Sequence, residues 1–198
     1  MGLDLEPTSG QTPLDEDEKE DLLITTITTR GELDEFEQLG IEKAIEWTMK
    51  RKPGLGQILS TEFVRELHRM MFADIWKWAG QFRTSNKNLG VDKNQIRLDL
   101  KNLLDDCRYW MDHNVFVGDE IAVRFSHRIV TIHPFANGNG RHSRLIADIL
   151  VSHGLGRPHF SWGSINLTAE GVARSAYLIA LREADEGRYH SLIEFARQ

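Results

Sequence analysis

The chain has 198 residues, which suits one domain with an arm, and its 40% hydrophobic residues provide material for a core. Lys and Arg number 24 against 30 Asp and Glu, and the net charge of −6 argues against sequence-independent binding of nucleic acid. The single cysteine, Cys107, excludes an internal disulfide framework, while the lack of a long apolar run or a secretion-signal pattern predicts a cytoplasmic protein without a membrane partner.

Residues 1–27 are predicted to form an N-terminal arm followed by a helix. The first dozen residues favour turns and carry little core material, which is typical of an extended arm. Thr12 then precedes Pro13, and an acidic residue follows at Asp15, a pattern that starts a helix. We expect this helix to run through the acidic stretch 15–23, because negative charges near a helix N-terminus interact favourably with the positive end of the helix dipole.

Residues 28–198 predict an all-α domain with one small β element. Thr29 and Glu32 have the spacing of a capping box, and the apolar residues that follow recur at helical steps as far as Lys50. Ser60 is placed to cap the next helix. Further segments with helical spacing lie at 96–110, 119–132, 144–150, 168–186 and 189–196.

The segment 82–96 departs from this helical pattern. Its sequence, FRTSNKNLGVDKNQI, is polar and rich in asparagine, with too few spaced apolar residues for a helix. A short β-hairpin or an ordered flap fits this composition better.

The most informative stretch is 133–144, with the sequence HPFANGNGRHSR. A helix ends at His133 because the following proline disfavours helical geometry, and a new helix begins after two glycines. The glycines let backbone N–H groups form a concave nest, to which the helix N-terminus adds its positive dipole end. Arg141 and Arg144 share one side of the new helix, and their guanidinium groups match phosphate oxygens. These residues predict a polyphosphate site, at whose mouth His133 can accept a proton from an attacking hydroxyl.

This stretch resembles the signature of the Fic (Fic/Doc) family, His-x-Phe-x-Asp/Glu-Gly-Asn-Gly-Arg-x-x-Arg, with one departure at Asn137. The segments TTRGELDEFEQ, FRTSNKNLG and YLIALREADEGRYHSLIEF are similar to the first core helix, the flap and the last helices of Fic proteins. The resemblance therefore covers most of residues 28–196 and implies a Fic-type helical domain with a small β-hairpin flap near the active site. The opening LDLEPTSGQTPLDEDEKEDLL is similar to a bacterial Fic subfamily called mobile mystery protein B, which suggests a role beside mobile DNA.

The resemblance implies transfer of AMP from ATP onto a Ser, Thr or Tyr hydroxyl of a target protein. Matched by position in the motif, His133 would be the general base, and Phe135 would be an apolar anchor for the loop. Arg141 and Arg144 would bind the β- and γ-phosphates and orient the α-phosphate for in-line attack. The target segment would bind along the flap by strand-like pairing.

The same resemblance assigns the phosphates to the glycine turn. Backbone amides of Gly138, Asn139 and Gly140 would hold them, with help from the Asn139 side chain. In the family, an acidic residue at the position of Asn137 coordinates Mg²⁺, a cation that is usually held by carboxylates and phosphates. Asn137 supplies an oxygen without a charge, and two unit charges 4 Å apart interact by about 4 kcal/mol at an effective dielectric near 20. We therefore expect Mg²⁺ to accompany ATP but to bind less tightly than is usual in the family.

Different classes of function stay open for this sequence. One is an adenylyltransferase weakened by Asn137, and another is a non-catalytic nucleotide-binding or interaction module on the same scaffold. A Fic enzyme that uses another nucleotide or phosphate donor is a further alternative. The remaining histidines lack zinc-ligand spacing, and the loop lacks the lysine of a P-loop, so neither of those sites is expected. A neighbouring regulator protein and a homo-oligomer are compatible with each of these functions.

A candidate inhibitory residue is Glu32. Many Fic proteins carry a helix with the pattern Ser/Thr-x-x-x-Glu-Gly/Asn, whose glutamate pairs with the second arginine of the motif. The nearest match in this chain is TTRGEL, which has Leu33 in place of Gly or Asn. Under this hypothesis Glu32 pairs with Arg144. In the alternative, the same carboxylate completes the capping box with Thr29, so the two hypotheses compete for one group.

Overall fold

Helices make up most of the structure, a computed structural model that describes residues 14–164 and 171–198. The α-helices of these residues are, in chain order, α1 Glu16–Lys19, α2 Arg30–Arg51, α3 Leu55–Ile58, α4 Thr61–Phe72, α5 Ile96–Asp112, α6 Gly118–Ile132, α7 Asn139–Ile149, α8 Val172–Asp185 and α9 His190–Arg197. A π-helical turn, Leu150–Gly154, extends α7, and a short 3₁₀ turn lies at Trp162–Ser164. The predicted all-α class is confirmed.

The N-terminal helix is shorter than the predicted one. α1 has four residues and ends at Lys19 instead of running through residue 23. The chain then turns to pair with the segment after α4, where the Leu23 N–H donates to the Ile75 carbonyl at 2.8 Å. These tertiary bonds replace the helical bonds that the acidic sequence predicts. The predicted cap at Thr12, with the rest of the arm to residue 13, lies outside the described residues.

Local capping signals start the next long helices where they were predicted. The Thr29 hydroxyl accepts a hydrogen bond from the Glu32 N–H at 3.2 Å, and the Glu32 carboxylate accepts one from the Thr29 N–H at 3.0 Å. At the start of α4, the Ser60 hydroxyl accepts from the Phe63 N–H at 3.1 Å. Each cap satisfies N–H groups that the first helical turn leaves without a partner.

The predicted β-hairpin at 82–96 is not found. Residues 82–95, here called the flap loop, form turns and bends until α5 begins at Ile96. Within the described residues, the β pairing consists of a single antiparallel bridge between Leu22 and Trp76. The flap is an ordered loop, which was the other form that its composition allowed.

The helix α6 lies at the centre of the fold, where it packs against α5, α7 and α9. Cys107 of α5 is buried, and burial raises the pKa of its thiol to about 12. In the part of the chain that the structure describes, every helix is too short or too polar to cross a bilayer. This packing places the C-terminal end of α6 beside the N-terminal end of α7, and the functional motif joins these two ends.

Candidate functional site

The motif forms a tight turn between α6 and α7. His133 follows α6 with φ 55° and ψ 60°, a left-handed conformation that is uncommon outside glycine. Gly138, with φ 75°, precedes the first residue of α7. A methyl group at Gly138 would also lie 2.6 Å from a ring carbon of Phe72, so both the conformation and the space require glycine there.

Two side chains of the motif fix this turn from within. Phe135, the predicted anchor, is fully buried, and its ring stacks on His68 with 3.7 Å between centroids. The Asn139 side chain accepts from the Phe135 N–H at 3.0 Å and donates to the Phe135 carbonyl at 2.8 Å. Asn139 is buried, and these bonds differ from the phosphate contact that was predicted for its side chain. Its side chain holds the backbone of the turn in place.

His68 is a supporting residue that the sequence did not reveal. It is fully buried on α4, and its Nδ1 accepts a hydrogen bond from the Gly80 N–H at 3.0 Å. Its proton is therefore on Nε2, which donates to the Asn137 carbonyl at 3.1 Å. Burial holds the pKa of His68 well below its usual value, so the ring is neutral at physiological pH.

The His133 imidazole lines the candidate site although only 6% of the residue is exposed. Its Nδ1 lies 3.3 Å from the Val130 carbonyl, which can only accept, so the proton sits on Nδ1 and Nε2 is the basic nitrogen. Burial, assisted by the charges of Arg83 and Lys87, lowers the pKa of His133 to about 4. The imidazole is thus neutral at pH 7 and able to accept a proton. An anion bound nearby would raise this pKa towards neutrality.

The flap loop lies directly against His133. The Arg83 guanidinium donates to the His133 carbonyl at 2.7 Å, and the Arg83 N–H donates to the Pro134 carbonyl at 3.0 Å. Gly90 has φ 97°, and a methyl group there would lie 2.5 Å from the His133 Cβ. The resemblance implied a flap near the motif, but no sequence signal marked Arg83 as the residue that fixes it.

A cavity of about 390 Å³ opens between the motif turn and α8. The predicted site residues that line it are His133, Asn137, Gly138, Asn139, Gly140, Arg141 and Arg144. The other polar residues of its wall lie outside the motif and were not predicted; they are Arg30, His127, Thr131, Arg174, Tyr177, Arg182 and Asp185. Arginines outnumber carboxylates in this lining, which suits an anionic ligand.

The two motif arginines have different partners. Arg141 Nη1 lies 2.6 Å from Glu37 Oε2, and the Arg141 guanidinium carbon lies 5.1 Å from the centre of the Phe72 ring. The Arg144 guanidinium carbon lies 5.2 Å from the centre of the Tyr177 ring, a cation–π contact across the cavity wall. Both side chains are therefore oriented by groups outside the motif.

Asp148, one helical turn after Arg144, bonds elsewhere. Its carboxylate accepts from the Trp162 Nε1–H at 3.0 Å and from the Phe160 N–H at 3.2 Å. Burial raises its pKa to about 7. The pairing with Arg144 that the helical spacing allows is not formed.

Glu32 makes the contacts of the capping hypothesis. Its Oε2 accepts from the Thr28 N–H at 2.8 Å and from the Thr29 N–H at 3.0 Å, and these bonds lower its pKa. Among the described residues, the salt bridges do not include a pair between Glu32 and Arg144. The structure therefore does not bring the proposed inhibitory pair together.

The donors near position 137 are a poor fit for a Mg²⁺ ion bound directly by the protein. Asn137 Oδ1 accepts a hydrogen bond from the Gly138 N–H at 2.6 Å and carries no charge, so it is a weaker ligand for Mg²⁺ than a carboxylate. Asp185 lines the cavity with a carboxylate, but its Oδ1 lies 2.9 Å from His127 Nε2 and is hydrogen-bonded to it. Across residues 14–164 and 171–198, His, Cys, Asp and Glu form no cluster of three or more that could hold a metal.

Comparisons with known proteins relate part of this chain to the Fic/DOC family. Residues 58–151 match the model of the Fic/DOC family. The protein adenylyltransferase Fic of Aedes aegypti is 24% identical over 180 residues, which are 88% of this chain and 34% of that protein. The chain thus spans about a third of the length of this curated relative.

Solved Fic structures share the fold. The N-terminal Fic domain of a putative cell filamentation protein from Bartonella quintana, with bound ADP, is 17% identical with a TM-score of 0.63, covering 87% of this chain and 86% of that one. BepC from Bartonella tribocorum, with bound AMPPNP, is 17% identical with a TM-score of 0.65, covering 92% of this chain and 97% of that one. At such identities the similarity shows the fold alone.

Proposed function

We propose that the Fic/DOC domain of residues 58–151, completed by α2 and α8, is a protein adenylyltransferase that transfers AMP from ATP to a Ser, Thr or Tyr hydroxyl of a target protein. The observation that carries the proposal is the shared cavity, which is lined by His133, the N-terminus of α7, Arg141 and Arg144. A base, a helix start that binds anions and two guanidinium groups are suited to in-line transfer at phosphorus. The activity named for the Aedes aegypti relative and the nucleotides named for the Bartonella structures support this choice of ligand.

The proposed reaction is a substitution at the α-phosphorus of ATP. The target hydroxyl oxygen forms a bond to the α-phosphorus as the bond to the oxygen that bridges to the β-phosphate breaks, and pyrophosphate leaves. The hydroxyl proton moves to His133 Nε2. Arg141 and Arg144 neutralise the charge that develops on the leaving pyrophosphate. The same polyphosphate raises the pKa of His133 from its low value, which makes the imidazole a better base when ATP is bound.

We place the target segment along the flap loop. Leu89 and Gly90 of this loop line the cavity, and Gly90 lies against His133. A hydroxyl presented from the flap loop would therefore reach the imidazole. The flap loop has no hairpin, so the target segment would bind to turns that Arg83 holds in place. Strand-like pairing of the target with this loop is proposed from the resemblance.

Asn137 favours a second candidate, a nucleotide-binding module without turnover. The Asn137 amide oxygen accepts a hydrogen bond from the Gly138 N–H, and the position lacks the charge that a metal-assisted reaction uses. In the adenylyltransferase, Mg²⁺ would arrive on the phosphates of ATP and not on this side chain. The finer assignment to the mobile mystery protein B subfamily depends on the opening sequence of the chain and stays a prediction.

The test uses ATP labelled at the α-phosphate and, separately, at the γ-phosphate, with a cell lysate as the source of targets. Wild type is compared with His133→Ala and with a matched control, His113→Ala, whose ring is exposed and stacks on Tyr109 away from the cavity. Protein label from the α-phosphate alone, lost in His133→Ala and kept in His113→Ala, supports AMP transfer. Label from the γ-phosphate alone indicates a kinase-like reaction, and nucleotide binding without label indicates the module.

A further inference from the structure

We infer that Glu37, which lies outside the motif and outside residues 58–151, is a positioning residue that holds Arg141 in the orientation for binding polyphosphate. This inference rests on the proposed function, because it takes the cavity to receive a nucleotide. It adds a residue of α2 to a site that the motif alone does not complete.

Each carboxylate oxygen of Glu37 has a neighbour, an ion-pair partner for Oε2 and a hydrogen-bond donor for Oε1. Oε2 lies 2.6 Å from Arg141 Nη1, and Oε1 accepts a hydrogen bond from the Trp76 Nε1–H at 2.8 Å. Only 3% of Glu37 is exposed, and a carboxylate so deeply buried is strongly unfavourable unless it is paired. Because the Phe72 ring lies beneath the guanidinium, Arg141 is restrained both by a charge and by an aromatic face.

The carboxylate lies behind the guanidinium as seen from the cavity. Arg141 lines the cavity, whereas Glu37 does not. Arginine has five N–H donors, and the contact with Glu37 involves Nη1, so other N–H groups remain for a phosphate. A carboxylate that blocked ATP would instead occupy the space of the phosphates. This placement favours support of the arginine over inhibition.

A close contact between two helices brings Glu37 to this position. Gly40 follows Glu37 by three residues on α2, and a methyl group there would lie 2.1 Å from the Met71 carbonyl oxygen of α4. Glycine therefore lets the two helix backbones approach. That approach sets Glu37 beside Trp76 and within reach of Arg141 on α7.

The effect of changing Glu37 is expected to depend on the ligand. Arg141 is proposed to contact the outer phosphates, which ATP and inorganic tripolyphosphate carry and AMP lacks. The variant Glu37→Gln keeps the size of the side chain and an oxygen for the Trp76 Nε1–H but removes the charge that orients Arg141. The matched control is Glu66→Gln, which removes an ion pair with Arg51 outside the cavity.

Isothermal titration calorimetry with ATP, AMP and tripolyphosphate tests this. We expect Glu37→Gln to weaken binding of ATP and tripolyphosphate by roughly tenfold, because the buried ion pair that orients Arg141 is lost, and to leave AMP binding unchanged. Glu66→Gln should leave all three unchanged. In the background Arg141→Gln, the further change Glu37→Gln should have no effect on ATP binding, because the residue acts through Arg141.

Other outcomes overturn the inference. Tighter ATP binding in Glu37→Gln would show that the carboxylate opposes the phosphates. Equal weakening of ATP and AMP, or a lower melting temperature with unchanged ATP binding, would show a structural role alone. If Glu37→Gln does not fold, Glu37→Asp is used instead, because the shorter side chain withdraws the carboxylate from Arg141, and the same preferential loss of ATP binding over AMP binding is required of it. A wild type that binds ATP but transfers no AMP defeats the proposed function alone, whereas one that binds neither ATP nor tripolyphosphate overturns both.

Discussion

The flap loop depends on one buried guanidinium, which makes Arg83→Lys an informative perturbation. Only 5% of Arg83 is exposed. Its guanidinium donates to the carbonyls of His133 at 2.7 Å, Ser85 at 2.8 Å and Val91. A lysine ammonium keeps the charge but lacks the planar fork that reaches three carbonyls in different directions. We therefore expect at least two of these bonds to be lost in the variant.

The size of the effect follows from those bonds. A hydrogen bond to a charged group contributes about 1.5–3 kcal/mol, so the loss of two corresponds to about 3–6 kcal/mol. Water can enter the loop and bond to the carbonyls that lose Arg83, which offsets part of this loss. We therefore expect the free energy of unfolding to fall by about 3 kcal/mol. One lost bond belongs to the left-handed residue His133, so the proposed AMP transfer should fall at least about tenfold, in kcat more than in KM for ATP.

Urea unfolding followed by circular dichroism and initial rates of AMP transfer measure these two effects. The control is Arg65→Lys, because the Arg65 guanidinium donates to a single carbonyl, that of Gly80, at 2.9 Å. The control should stay within about 1 kcal/mol of wild type. If Arg83→Lys behaves like Arg65→Lys in both measurements, the flap loop is not held by this guanidinium and the reasoning is wrong.

Other predictions concern pH, metal and helix packing. The pKa of Asp148 is about 7 in the fold and 3.8 unfolded, so wild type loses stability as pH rises from about 4 to 7. The free energy of unfolding of Asp148→Asn minus that of wild type should therefore be about 2 kcal/mol larger at pH 8 than at pH 5, a figure reduced for partial exposure. Urea unfolding measures this difference, and equal differences at the two pH values would contradict the prediction. Asn137→Asp should raise Mg²⁺-dependent AMP transfer by about tenfold or more, and an unchanged Mg²⁺ titration would show that the charge at this position is unimportant. Gly40→Ala should lower the free energy of unfolding by about 2 kcal/mol, because overlap with a backbone oxygen exceeds the gain in helix propensity. Gly31→Ala, which has open space, should stabilise the same helix by about 0.5–1 kcal/mol; two variants with equal melting temperatures would refute the packing argument.

Local signals explain which elements could be predicted from the sequence. The caps at Thr29 and Ser60 involve residues three positions apart, so their bonds are encoded within one turn. The flap loop is different, because Arg83 is ordered by a carbonyl 50 residues later in the chain. Composition therefore distinguishes this segment from a helix, but it does not decide between a hairpin and a loop. The helix predicted for residues 20–23 does not form for the same reason, because tertiary hydrogen bonds to the segment after α4 override the helical pattern.

Residues of the site also differ in how far they could be predicted from local sequence. The motif residues around His133 come together because they are neighbours in one turn, whereas Glu37 meets Arg141 through tertiary packing. One signal was available: the buried residues of α2 follow a helical stripe, and Glu37 lies within it. That stripe consists of Leu33, Glu37, Gly40, Ala44 and Thr48. A carboxylate on a buried stripe requires a partner, so this pattern could have identified Glu37.

The three supporting contacts have a common consequence for how the site works. A turn that binds anions through backbone amides is effective only if its shape is set before the ligand arrives, because reorganisation would consume binding energy. A left-handed residue such as His133 is unfavourable by about 1–3 kcal/mol and persists only where neighbours restrain it. Arg83 holds its carbonyl, His68 holds that of Asn137, and Glu37 holds Arg141. Conservative changes at these three buried positions should therefore reduce phosphate binding and transfer even where the helices remain folded.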